Sequence, residues 1–207
     1  MFMKKEFDTI RFKKLARILE VIMSIFYWIF IASMAISVLI VPILLVVLQG
    51  DLTVGHIISL TGGFDLKLDA AYGIGISISS ASLPAEANLT WIAVNIAAVL
   101  FCYCLALTVV FRQVIEILKT VASSTPFEEK NSKRLQRIGI VLIIASVLFN
   151  NLCSSIFMKV IDILKIQHVN ISFGADTFML LTGFLMLILS GVFRYGSYLQ
   201  SEYDSTL

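Results

Sequence analysis

Apolar and polar positions along the 207-residue chain fall into long blocks. Four stretches carry enough apolar residues to cross a hydrocarbon core, which takes about 20 residues of helix. They are 21–48, 91–111, 138–158 and 177–194, and the first three contain no charged side chain. The fourth is uncharged through Phe193, and Arg194 at its end can snorkel and extend it. The first is too long for the h-region of a signal peptide, since the apolar run continues through Pro42 to Leu45. It reads as a retained helix, bent near Pro42.

The remaining segments have other periods. Residues 1–20 form a basic amphipathic segment, with Phe7, Ile10, Phe12, Leu15 and Ile18 interleaved with Lys and Arg. This pattern suits either a helix in the headgroup layer that then turns inward, or a plain positive flank. The segment 49–90 is too long for a mere connection. It alternates Phe64, Leu66 and Leu68 against Asp65, Lys67 and Asp69, then Tyr72, Ile74, Ile76 and Ile78 against Gly and Ser. Period two predicts a short β-hairpin. His168 to Phe173, within 159–176, alternates as well and could supply a third strand. Segment 112–137 reads as a helical hairpin. Arg112, Glu116 and Lys119 are spaced for pairing along the first helix. Thr125, Pro126 and Glu128 match a capping box that opens the second. Residues 195–207 form a tail. The predicted fold is an all-α membrane protein, a four-transmembrane-helix bundle with a small extracellular β-hairpin cap.

Composition and charge sharpen this picture. The chain is 58% hydrophobic and 14% charged, against about 25% charged for a soluble domain. That removes a disordered chain, a secreted disulfide scaffold and an ordinary soluble enzyme. Thirteen of the sixteen Lys and Arg lie before the first span, between the second and third, or after the fourth. The positive-inside rule therefore makes both termini and the hairpin cytoplasmic. The opposite side carries Asp51, Asp65, Asp69, Glu86, Asp162 and Asp176 against three lysines. The inner face should attract anionic lipids of the bilayer. Direct nucleic-acid binding fits poorly, because the basic residues lie beside spans.

The run Thr125 to Gly139, TPFEEKNSKRLQRIG, and the tail Gly191 to Leu207, GVFRYGSYLQSEYDSTL, resemble the signature segments of the bacterial four-span membrane family catalogued as domain of unknown function 2975. The resemblance implies a four-span fold in a bacterial plasma (inner) membrane. It also implies a cytoplasmic helix-turn-helix regulator as a partner. It implies no activity.

Candidate chemistry narrows by elimination. No ionisable residue lies mid-span, as ion-coupled transporters usually require. His56 and His168 lie in outer loops, so a bis-His haem inside the bundle is excluded. Cys102, Cys104 and Cys153 lie within spans and read as small apolar residues. A zinc site would need His56, His168, Asp51 and Asp65 to converge, and surface residues are the simpler reading. No catalytic residue, cofactor or metal site can be named. Candidate partner contacts are Phe127, Lys130, Lys133, Arg134 and Arg137 of the hairpin. Asn95, Asn150 and Asn151 are candidate polar positions in the bundle. They serve either cross-helix packing or a polar cavity in the outer half.

These features predict a non-enzymatic membrane protein with a regulatory or sensing role, acting through its hairpin or its outer cap. Two alternatives remain open: an immunity protein that binds cationic peptides at the acidic outer face, and an accessory subunit of a membrane transporter.

Overall fold

A computed structural model describes residues 2–47, 52–63, 65–69, 75–123, 125–165 and 174–205. Among them are five α-helices and two β-strands: α1 (Phe2–Val47), α2 (Val54–Thr61), β1 (Asp65–Asp69), β2 (Gly75–Ser79), α3 (Thr90–Ala122), α4 (Glu129–Leu164) and α5 (Thr177–Ser205). Four of the helices are long and apolar enough to cross a membrane. The chain is a mostly helical, multi-pass membrane protein.

The helices outrun the hydrocarbon they cross. At 1.5 Å per residue, the 36 residues of α4 extend about 54 Å and the 33 of α3 about 50 Å, against a core of about 30 Å. Both must continue past the hydrocarbon core. α1 joins the basic N-terminal segment to the first apolar stretch in one unbroken 46-residue helix. No turn separates the two, since no Gly or Pro interrupts the chain before Pro42. The helix also continues through Pro42 to Val47. Pro42 has no N–H to give the carbonyl four residues back, and it does not terminate the helix.

The chain divides into two compact units. One comprises Met1–Ala32, Cys104–Ala145 and Thr177–Leu207. Its helices pack through small residues while large apolar ones face outward, as expected where lipid is the solvent. Ser132, Gly139, Ala145, Gly183 and Ser190 are buried, whereas Leu181, Ile188 and Val192 of α5 are exposed. An added Cβ at Gly139 would lie 2.7 Å from the Gly183 carbonyl oxygen, and one at Gly183 would lie 2.9 Å from that of Gly139. Only glycine permits this approach. On α1, Phe26 and Phe30 pack on Phe111 of α3, with ring centroids 5.9 and 5.3 Å apart.

The other unit comprises Ser33–Tyr103 and Ser146–Asp176. Its core is Ile92, Ile156 and Val160, with Leu83, Leu89, Val99 and Ile163 around them. The ends of the long segment before α3 are stitched together by backbone bonds. Leu89 N–H donates to Leu52 O, Val54 N–H to Ala87 O, and Gly55 N–H to Ala85 O. Gly55 fits because a Cβ there would stand 3.3 Å from the Ala85 oxygen. α2 follows, with fully buried Val54 at its start, and ends at Gly62 and Gly63, both with positive φ.

β1 and β2 pair antiparallel, with Asp65 opposite Ser79, Lys67 opposite Ser77 and Asp69 opposite Gly75. Phe64, Tyr72, Ile74 and the segment His168 to Phe173 lie outside the described residues.

Candidate functional site

The hairpin formed by the end of α3 and the start of α4 carries every hairpin residue singled out above. Its connection is ordered by hydrogen bonds that converge on Thr120. The carbonyl of Thr120 accepts from the Thr125 N–H at 2.9 Å and from the Ser123 Oγ at 3.0 Å. Glu128 N–H closes a turn onto Thr125 O at 3.3 Å, and α4 begins only at Glu129. The predicted capping box at Thr125 is therefore not the helix start. Thr125 Oγ1 donates back to Thr120 O at 3.4 Å instead of capping forward.

Asn131 ties the connection to α3 from within α4. It is completely buried. Its Nδ2 donates to Thr120 Oγ1 at 2.6 Å and to Pro126 O at 2.9 Å. Its Oδ1 accepts from Arg134 Nη1 at 2.7 Å. Both amide hydrogens and the carbonyl are thus used, which offsets the cost of burying the group.

Arg134 completes a clamp between the two helices. Its Nη1 also donates to Glu116 O at 3.2 Å, and its Nη2 to Glu116 Oε2 at 3.3 Å. Only 16% of its side chain is exposed. Lys119 bonds the other carboxylate oxygen of Glu116 at 2.8 Å. Arg112, expected to pair with Glu116 along α3, makes no ion pair within 4 Å among the described residues. Arg134 has taken that position from the other helix. Glu116 stands five residues beyond the uncharged stretch that ends at Phe111. The Lys119 hydrogen bond, opposed by partial burial and reinforced by the charges of Lys119, Arg134 and Arg112, holds its carboxyl below the usual range.

The predicted contact residues therefore separate. Lys130, Lys133 and Arg137 are exposed on α4. Lys130 reaches Glu128 at 3.1 Å and Lys133 reaches Glu129 at 2.7 Å, both as solvent-facing pairs. Arg134 turns inward and braces the hairpin. Phe127 is 43% exposed, and its other side packs on Phe193, with centroids 5.4 Å apart, and over Gly196. A Cβ on Gly196 would lie 2.8 Å from the Phe127 ring. Further along α4, the hydroxyls of Ser132 and Ser190 each donate to the other residue's carbonyl at 2.8 Å.

The three asparagines belong to the second unit and have their own local contacts. Asn95 Nδ2 donates to Trp91 O of its own helix at 2.9 Å. Asn151 Oδ1 accepts from the Gly174 N–H at 3.1 Å and fastens the segment leading into α5. Asn150 lies beside the same glycine. No hydrogen bond joins Asn95 to either of them among the described residues.

The family of proteins of unknown function catalogued as DUF2975 matches residues 75–207. The chain belongs to that family. The two segments whose sequence resembles it meet in space, because Phe127 lies in one and Phe193 and Gly196 lie in the other. The first of them also supplies Asn131, Ser132, Arg134 and Gly139, which tie α4 to α3 and α5. No curated protein and no solved structure matches the chain.

Sequence reasoning missed Thr120, Asn131 and the Ser132–Ser190 pair. A partial signal was present: Asn131, Leu135 and Ile138 share one helical face, turned away from Lys130, Lys133 and Arg137.

Proposed function

We propose that this is a non-enzymatic bacterial inner-membrane protein with a regulatory or sensing role, which acts by binding a partner at its hairpin. In this reading the four long helices form a bundle, both termini and the hairpin are cytoplasmic, and β1 and β2 form a small outer cap. One observation carries it. The hairpin is braced from within by Asn131 and Arg134, and it holds Lys130, Lys133 and Arg137 exposed on one stiff helical face. A braced surface loses little conformational entropy on docking. The charges favour a partner with an acidic surface. A small cytoplasmic helix-turn-helix regulator is the partner class that the family resemblance implies.

The test is site-specific photocrosslinking from Lys130 and Lys133 in living cells. A discrete adduct with one cytoplasmic protein, lost when Asn131→Leu loosens the hairpin, supports the reading. Adducts with lipid and the protein itself alone overturn it.

A further inference from the structure

The exposed face of α4 changes character within one turn. Lys130, Lys133 and Arg137 share this face with Ile140 and Ile144, which are 44% and 54% exposed. The step from basic to apolar marks where α4 enters hydrocarbon. α3 enters at the same level. Its uncharged stretch ends at Phe111, and Arg112 follows. The contacts of Glu116 with Arg134 and of Thr120 with Asn131 set the antiparallel register, which brings Arg112 level with Arg137 and Ile138. α1 agrees. Its Phe26 and Phe30 flank Phe111, so the intervening Tyr27 and Trp28 lie at this depth. Trp28 is 67% exposed, as befits an aromatic residue at a headgroup boundary.

That register brings two arginines to the same depth. Arg112 lies one turn before Glu116 on α3, and Arg137 lies one turn after Arg134 on α4. Glu116 and Arg134 touch, and each arginine lies one turn further toward the apolar stretches, on the same flank of the helix pair. Both are exposed, and neither has a carboxylate within 4 Å among the described residues. Glu116, the acid nearest in sequence to Arg112, is already spanned by Lys119 and Arg134. Two exposed guanidinium forks without an ion-pair partner within 4 Å among the described residues, at a hydrocarbon edge, suit a phosphodiester, which each can bind in a bidentate manner.

We propose that Arg112 and Arg137 together hold the phosphate of an anionic phospholipid, whose acyl chain lies along Ile140 and Ile144. Lipid is favoured over a soluble anion because the arginines adjoin exposed apolar side chains of the same helix. The inference rests on the hairpin side being a membrane surface, as in the function proposed above. It needs no protein partner, so crosslinking from Lys130 can fail without touching it.

The test uses the full chain, purified in mild detergent and mixed with equimolar phosphatidylglycerol and phosphatidylethanolamine. Native mass spectrometry counts the lipids retained. The unsubstituted protein should retain phosphatidylglycerol preferentially. Arg112→Gln and Arg137→Gln should each lower that preference about fivefold, and the double variant should lower it further. Lys159→Gln, whose lysine is paired with Asp162, should keep it. Far-ultraviolet circular dichroism verifies the fold, and either single variant alone carries the reading if the double does not fold. Equal retention of both lipids by the unsubstituted protein, or an undiminished preference in the arginine variants, overturns the proposal. Release of the lipid by millimolar inorganic phosphate would assign the arginines to a soluble anion and overturn it as well.

Discussion

Ser132 and Ser190 exchange hydrogen bonds across the α4–α5 contact, each hydroxyl donating to the other's carbonyl at 2.8 Å. Both side chains are buried, and the two hydroxyl oxygens stand 3.2 Å apart. Polar contacts between membrane helices average about 0.6 kcal/mol and reach about 1.7 kcal/mol. Ser132→Ala should therefore lower thermal stability only slightly, and Ser132→Val considerably more, because the site has no room for branched carbons. Unfolding followed by circular dichroism in detergent compares the two. Equal stability of the valine and alanine variants would mean that the helices are not this close.

Seven residues along α4 from Ser132, and seven back along α5 from Ser190, stand Gly139 and Gly183, each of which a methyl group would drive into the other's backbone. Gly139→Ala and Gly183→Ala should each destabilise by about 1–3 kcal/mol, the usual penalty of overpacking. Gly191 on α5 is the internal control, since a Cβ there meets nothing within 4 Å. Gly191→Ala should be neutral or gain up to about 1 kcal/mol from helix propensity. Melting temperatures of the three variants, measured side by side, should rank Gly191→Ala above both others.

Much of this architecture was legible because lipid-exposed helices exclude charge over a fixed length. The uncharged stretches 91–111 and 138–158 lie within α3 and α4, and the alternation around Leu66 and Ile76 corresponds to two paired strands. What escaped was decided by tertiary contacts. Val54, Ile57 and Ile58 are too few to announce α2, which is held by bonds to Ala85 and Ala87 across the segment. Thr125 looked like a cap because local spacing cannot reveal that buried Asn131 already ties Thr120 to Pro126. Arg134 was indistinguishable from Lys133 within a basic run. Only the partner face of α3, carrying Glu116, separates the brace from the exposed charges.

That separation predicts unequal mutational effects within one basic run. Arg134→Ala strips a largely buried guanidinium from Asn131 and Glu116, leaving the Asn131 carbonyl unsatisfied at a penalty of about 1–3 kcal/mol. Asn131→Leu removes the partner of Thr120, Pro126 and Arg134 at once, and should be at least as damaging. Lys133→Ala breaks a solvent-exposed pair with Glu129 and should lose under about 1 kcal/mol. Scanning fluorimetry of the three variants reads the order directly. A Lys133→Ala variant as unstable as Arg134→Ala would count against the clamp.

The orientation argued from charge asymmetry can be read from labelling. Lys133 lies on the basic hairpin face, and Glu86 lies between β2 and α3 among the acidic loop residues; both are exposed. With Cys102, Cys104 and Cys153 replaced by alanine, Glu86→Cys should react with a membrane-impermeant maleimide on intact cells. Lys133→Cys should react only after permeabilisation. The reverse pattern would invert the protein in the membrane. It would place Lys130, Lys133 and Arg137 outside the cell, and so remove a cytoplasmic regulator as the partner of the hairpin.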